Sequence, residues 1–148
     1  MKTRILLVDD DPAIREMLGR VLAEEGYAVF PATNGQEALD LAVAAEVDLV
    51  LLDLNLPVKS GWDTFERLTT ERPTLPVVII TARPNQLFTA LGAGAGALME
   101  KPLDFPKLLR TLRVLLDEPV EIRLARLAGQ RAEFHYAPPE PSERRSTV

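Results

Sequence analysis

Five short apolar runs punctuate this chain, and a stretch with helical spacing follows each of them. That alternation restricts the fold more than any other feature. "RILLV" (4–8) reads as a buried strand. Asp11 then caps a helix that has Pro12 at its first position and Ile14, Met17, Leu18, Val21 and Leu22 along one stripe, and Gly26 ends it. "YAVFPAT" (27–33) is a second strand, placed near an edge by Pro31, and "QEALDLAVAAE" a second helix. "VDLVLLDL" (47–54) is a third strand, and Gly61 and Asp63 lead into the helix "TFERLTTE". "PVVIITA" (76–82) is a fourth strand. "NQLFTALGAGAG" is a short helix that breaks at its glycines. "ALMEKP" (97–102) is a fifth strand, followed by the helix "DFPKLLRTLRVLLDE" (104–118). Strands this apolar need cover on both faces, and alternating helices supply it. An open, doubly wound parallel α/β sheet is expected. A closed eight-fold barrel needs about 250 residues, more than the 148 here.

The body is expected to span 1–118, with a C-terminal extension over 119–148. Within the extension, "PVEIRLARLAGQRAEF" predicts a short helix over 120–132, with Ile122, Leu124 and Leu127 on its apolar side. "APPEPSERRSTV" is rich in proline and charge and is expected to be disordered. The chain has no cysteine, which excludes disulfides and thiolate metal sites. Its net charge is −5 with no basic stripe, which speaks against direct nucleic-acid binding. The first apolar run is too short for a signal peptide, and no stretch approaches a membrane span. The expectation is a soluble, cytoplasmic protein.

In open parallel sheets, ligands bind outside the carboxyl ends of the strands. The chain puts Asp9, Asp10 and Asp11 after its first strand, Asp53 at the end of its third, Thr81 at the end of its fourth and Lys101 after its fifth. Two unit charges 4 Å apart repel by roughly 4 kcal/mol at an effective dielectric of 20. Lys101 can neutralise one carboxylate but not all. A hard divalent cation is the remedy, and oxygen-only ligation suits Mg²⁺ or Mn²⁺ rather than zinc. Mg²⁺ commonly shares its site with phosphate oxygens. Asp53 is then either a metal ligand alone or a nucleophile that takes a phosphoryl group. In the second case Lys101 spreads the developing charge and Thr81 donates a hydrogen bond.

The ordered set "LLVDDD", "LLDLNLP…SG", "VVIITA" and "MEKP" resembles the receiver domain of bacterial two-component response regulators, over residues 3 to 118. The resemblance implies a flavodoxin-like five-stranded sheet, order 2-1-3-4-5, with five helices. It implies that Asp53 accepts phosphate from a sensor histidine kinase or phosphotransfer protein. Asp10 matches the direct Mg²⁺ ligand and Asp9 an acid acting on the metal through water. The backbone carbonyl of Asn55 completes the protein ligands. Thr81 matches the switch hydroxyl and Lys101 the phosphate-pairing lysine. A cis Lys101–Pro102 bond is a frequent family feature. Asn55 and Arg83 fall where the family tunes phosphoryl lifetime. Two departures stand out. Leu98 replaces the family's usual aromatic, and the segment from Thr81 to Lys101 is short, so the fourth helix is expected to be truncated.

The plainer readings of these residues are packing and capping. Asp11 is an N-cap first. Trp62 is half-buried packing at the mouth of the site, and His135 an idle tail residue. The glycines at 92–96 lack the ending of a nucleotide-binding loop. The leading function is a stand-alone signalling receiver whose output comes from its own contacts with an unidentified output protein, homodimerisation being one route. The competing readings are a phosphorylation-independent scaffold and a Mg²⁺-dependent phosphohydrolase. The hydrolase needs a second acid two positions after Asp53, where Asn55 stands.

Overall fold

The computed structural model describes residues 2–57, 60–130 and 133–141. Strand β1 (Arg4–Val8) leads to α1 (Pro12–Glu24), β2 (Ala28–Ala32) to α2 (Gly35–Ala44), and β3 (Leu49–Asp53) to α3 (Gly61–Glu71). Then β4 (Val77–Thr81) leads to α4 (Leu87–Ala93) and β5 (Ala97–Glu100) to α5 (Phe105–Asp117). Helix α6 (Val120–Leu127) and strand β6 (His135–Ala137) complete the described elements. The strands form one sheet in the order β2-β1-β3-β4-β5-β6, and every pairing is parallel. The architecture is a flavodoxin-like α/β fold, with the expected order 2-1-3-4-5 extended by one strand at the β5 edge.

Alternation along the strands divides the core in two. Leu6, Val8, Val50, Leu52, Ile79 and Leu98 face a layer built from Ala38 and Leu39 of α2, Phe65 and Leu68 of α3 and Ala90 of α4. Ile5, Leu7, Leu51, Val78, Ile80 and Met99 face Leu18 and Leu22 of α1 and Leu108, Leu112 and Leu115 of α5. All five residues of β3 and of β4 are buried. This double cover is what their unbroken apolar composition requires.

Local signals set the helix ends. Asp11 Oδ1 accepts from Ala13 N–H at 2.9 Å, and Pro12 opens α1. Ser60 caps α3 by accepting from Asp63 N–H at 3.2 Å, so this helix begins at Gly61, ahead of the expected "TFERLTTE". Helix α4 has seven residues and stops at Gly94, whose φ of +86° is left-handed. Its truncation agrees with the short segment between Thr81 and Lys101.

The extension differs from its sequence reading. Helix α6 stops at Leu127 rather than 132, and Gly129 follows at φ +77°. Its apolar residues Ile122 and Leu124 are exposed, and Arg123 and Arg126 turn inward instead. Arg126 and Glu118 form a buried, bidentate ion pair at 2.9 and 2.7 Å, and Arg126 Nε donates to the Glu133 carbonyl at 3.0 Å. Arg123 donates to the carbonyls of Thr74 at 3.0 Å and Leu115 at 2.9 Å. Arginine satisfies helix-terminal carbonyls that an apolar side chain would leave unpaired. Beyond this clip the chain returns as β6, with His135, Tyr136 and Ala137 opposite Ala97, Leu98 and Met99. The disorder expected from Ala137 onward is corrected at its start, because Ala137 pairs with Met99 in β6 and the Glu140 amide donates to the Pro102 carbonyl at 2.9 Å; the rest of that expectation, 142–148, lies outside the described residues. No helix among the described residues is long and apolar enough to cross a membrane.

Candidate functional site

A parallel sheet delivers the carboxyl ends of β1, β3, β4 and β5 to one rim. Of the residues that the sequence places there, the three acids and Lys101 come together, while the Thr81 side chain is buried beside them and does not line the cavity. Asp9, Asp10 and Asp53 each offer a carboxylate oxygen, and these oxygens lie within 4.8 Å of one another. Asp9 and Asp53 are buried and Asp10 is exposed at the mouth. Lys101 Nζ donates to Asp9 Oδ2 at 3.0 Å and to Asp53 Oδ2 at 3.3 Å. An open cavity of about 530 Å³ lies over this group, bordered by Asn55 and Arg83 as well.

Short backbone bonds fix the carboxylates. Asp53 Oδ1 accepts from Asn55 N–H at 3.1 Å. Asp9 Oδ1 accepts from Asp11 N–H at 2.9 Å, so Asp11 serves both as the α1 cap and as a brace for Asp9. Arg15 Nη1 donates to the Asp9 carbonyl at 2.6 Å. Thr81 is fully buried, and its Oγ1 accepts from Arg83 N–H at 2.9 Å. The Lys101 amide donates to the Thr81 carbonyl at 2.8 Å, and the Lys101–Pro102 peptide bond is cis.

Gly61 holds the loop after β3. Its amide donates to the Leu54 carbonyl at 3.1 Å. A Cβ there would lie 2.3 Å from Leu54 Cα, so only glycine permits this approach. The contact pins Leu54, and hence Asn55, against the start of α3.

Burial pushes the Asp53 carboxyl above the usual range. The Asn55 N–H opposes this, the Asp9 charge adds to it, and Lys101 again opposes it. For Lys101, burial pulls downward, but the Asp9 hydrogen bond and the two carboxylate charges together raise it. Three carboxylates, Asp9, Asp10 and Asp53, face the one ammonium of Lys101.

Trp62 is half-buried, as expected. Its Nε1 donates to Gln86 Oε1 at 3.1 Å, and its ring meets Phe65 edge-on at 5.7 Å. Leu98 is fully buried on the α4 side of β5. Sequence reasoning missed Tyr136, which stands opposite Leu98 on β6 and donates its hydroxyl hydrogen bond to Glu100. It also missed the place of His135, which in β6 stands opposite Ala97 of β5 and leaves its Nε2 buried without a partner among the described residues.

The family model for the response regulator receiver domain matches residues 5–113. Response regulator MprA of Mycolicibacterium vanbaalenii is 40% identical over 118 residues, which cover 78% of this chain and 51% of that protein. MprA of Mycobacterium tuberculosis is 38% identical over the same shares. The chain thus spans about half the length of the curated relatives it matches. A CheY-like receiver domain protein from Methanospirillum hungatei is 32% identical with a TM-score of 0.75, over 79% of this chain and 95% of its own. Response regulator TrrA of Thermotoga maritima, solved in complex with Mg²⁺-BeF, is 34% identical with a TM-score of 0.72, over 78% of this chain and 99% of its own. The family model, the relatives and the fold agree, and the chain belongs to the response regulator receiver domain family.

Proposed function

We propose that Asp53 accepts a phosphoryl group and that this switches the protein's contacts with other proteins. The observation that carries the reading is the gathering of Asp9, Asp10 and Asp53 around one point, with Lys101 reaching two of them. Asp9, Asp10, Asp53 and the backbone carbonyl of Asn55 would hold Mg²⁺, with Mn²⁺ as the alternative ion. The fit rests on the donor set, which is all oxygen and carries more negative charge than Lys101 offsets. When bound, the ion neutralises the carboxylates and draws charge from the phosphoryl oxygens.

The donor is a phosphohistidine on a sensor kinase or phosphotransfer protein. An Asp53 carboxylate oxygen attacks phosphorus. The new P–O bond forms as the P–N bond breaks, and the imidazole nitrogen keeps the electron pair. Lys101 leaves Asp53 to pair with a phosphoryl oxygen, and Thr81 turns its hydroxyl to donate to another. Asn55 and Arg83 border the cavity that an attacking water must enter, and so set the lifetime of the adduct. Residues 1–118 act as the phospho-accepting body and 119–148 as its appendage. The protein acts in the cytoplasm on protein partners, not on nucleic acid, and its only chemistry is on its own Asp53.

Acetyl phosphate with Mg²⁺ separates this reading from its rivals. Signalling requires one long-lived phosphoryl group per chain. Sustained turnover of a small phosphoester indicates a phosphohydrolase, although Asn55 lacks the acid that this needs. An adduct that leaves every protein contact unchanged indicates a scaffold, a reading supported by Leu98 and the short α4.

A further inference from the structure

The end of β5 touches the acidic rim on one side and the C-terminal extension on the other. Lys101 holds Asp9 and Asp53 through its side chain and Thr81 through its amide. The residue before it, Glu100, lies opposite Thr81 and accepts the Tyr136 hydroxyl hydrogen bond. The residue after it, Pro102, accepts from the Glu140 N–H at 2.9 Å. Three consecutive residues therefore join the site to the middle of β6 and to the chain just beyond it.

The extension is fastened unequally. At its α6 end, Arg126 and Glu118 pair in a buried fork, and Arg123 caps carbonyls from two other segments. At its β6 end the fastening is a three-residue strand, an exposed tyrosine and one amide bond. Exposed hydrogen bonds exchange readily with water and hold a segment weakly. Segments held this way open first while the rest of the fold stays closed.

We infer that β6 reads the state of Asp53: it is docked on β5 when Asp53 is free and released when Asp53 carries a phosphoryl group, while α6 stays clipped. The inference rests on the phospho-acceptor role proposed above. Lys101 turns from the carboxylates toward the phosphoryl oxygens, and a shift of its backbone reaches β6 through its neighbours Glu100 and Pro102. The Tyr136 and Glu140 contacts are then misplaced, which leaves β6 to its three-residue ladder with β5. Release uncovers the β5 edge, whose unpaired backbone groups fit an extended strand.

Hydrogen–deuterium exchange of the full chain with and without Mg²⁺ and beryllofluoride tests this, with ¹⁹F NMR reporting the adduct. Amides of 134–137 and of Glu140 should exchange at least about fivefold faster in the adduct, with α6 unchanged. Unchanged or slower exchange with the adduct present overturns the coupling alone. Failure to form any adduct overturns the phospho-acceptor reading, and the coupling with it. Tyr136→Phe keeps the ring and removes the bond to Glu100. By reciprocity it should bind beryllofluoride more tightly, by the factor that its loss loosens β6. Unchanged affinity in a variant with loosened β6 also overturns the coupling.

Discussion

Lys101 spans the two buried carboxylates of the rim, 3.0 Å from Asp9 and 3.3 Å from Asp53. One cation from β5 thus ties together the ends of β1 and β3. Lys101→Ala leaves both acids without their partner and should cost roughly 1–3 kcal/mol. Mg²⁺ should restore part of this loss, because the ion binds only the folded chain. Thermal melts with and without Mg²⁺ check it. A variant as stable as wild type in the absence of metal would show that the bridge contributes nothing.

Asp53 has the opposite effect on stability. Its folded-state carboxyl titrates above the unfolded one, chiefly because it is buried. Between the two values the folded chain binds more protons, so its stability falls as pH rises through that window. Asp53→Asn removes the penalty. The variant should match wild type well below pH about 4 and become the more stable of the two as pH rises, levelling off above the folded value. Urea unfolding across pH reads this difference. An advantage that shrinks with rising pH would contradict the assigned direction.

Asp10 is the exposed acid of the three and the least braced. Asp10→Ala should leave the fold intact and weaken Mg²⁺ binding by tenfold or more, about 1.4 kcal/mol. A Mg²⁺ titration followed by the fluorescence of Trp62, at the mouth of the site, measures it. Equal affinity in the two proteins would remove Asp10 from the ligand set.

Gly61 permits the approach of α3 to Leu54. Gly61→Ala places a methyl group against backbone that cannot yield cheaply, at a cost of about 1–3 kcal/mol or more. The shift should also displace Asn55 and slow adduct formation. Denaturant unfolding and the phosphorylation rate follow the two effects.

The ion pair between Glu118 and Arg126 is buried on both sides. Breaking it with Glu118→Ala leaves an unpaired buried guanidinium and should cost about 3–5 kcal/mol. A urea midpoint equal to that of wild type would show that α6 is not anchored by this pair.

Most of the fold was legible because its signals are local. Runs such as "VVIIT", short, rich in β-branched residues and preceded by Pro76, read as buried strands. Asp11 with Pro12, and Gly94 after α4, mark helix ends by their own chemistry. The rim was legible because a parallel sheet maps strand ends to one place, so Asp53, Thr81 and Lys101 could be brought together from sequence position. The extension was not legible. Strand β6 is three residues long and set among prolines and charges, and its pairing depends on a free edge at β5 that only the folded sheet creates. Helix α6 was read by its apolar residues, yet it docks by Arg123 and Arg126. Carbonyls at 74 and 115 hold Arg123, and the Glu118 carboxylate with the Glu133 carbonyl holds Arg126; nothing near Arg123 in sequence announces its contact with Thr74.

The decisive measurement is to trap the acyl phosphate after treatment with acetyl phosphate and Mg²⁺, using borohydride reduction, and to map it by peptide mass spectrometry. A single modification should appear, on Asp53, in wild type, and none in Asp53→Asn. A modification on Asp9 or Asp10 instead, or none on a folded wild-type chain with Mg²⁺ present, would contradict the role given to Asp53.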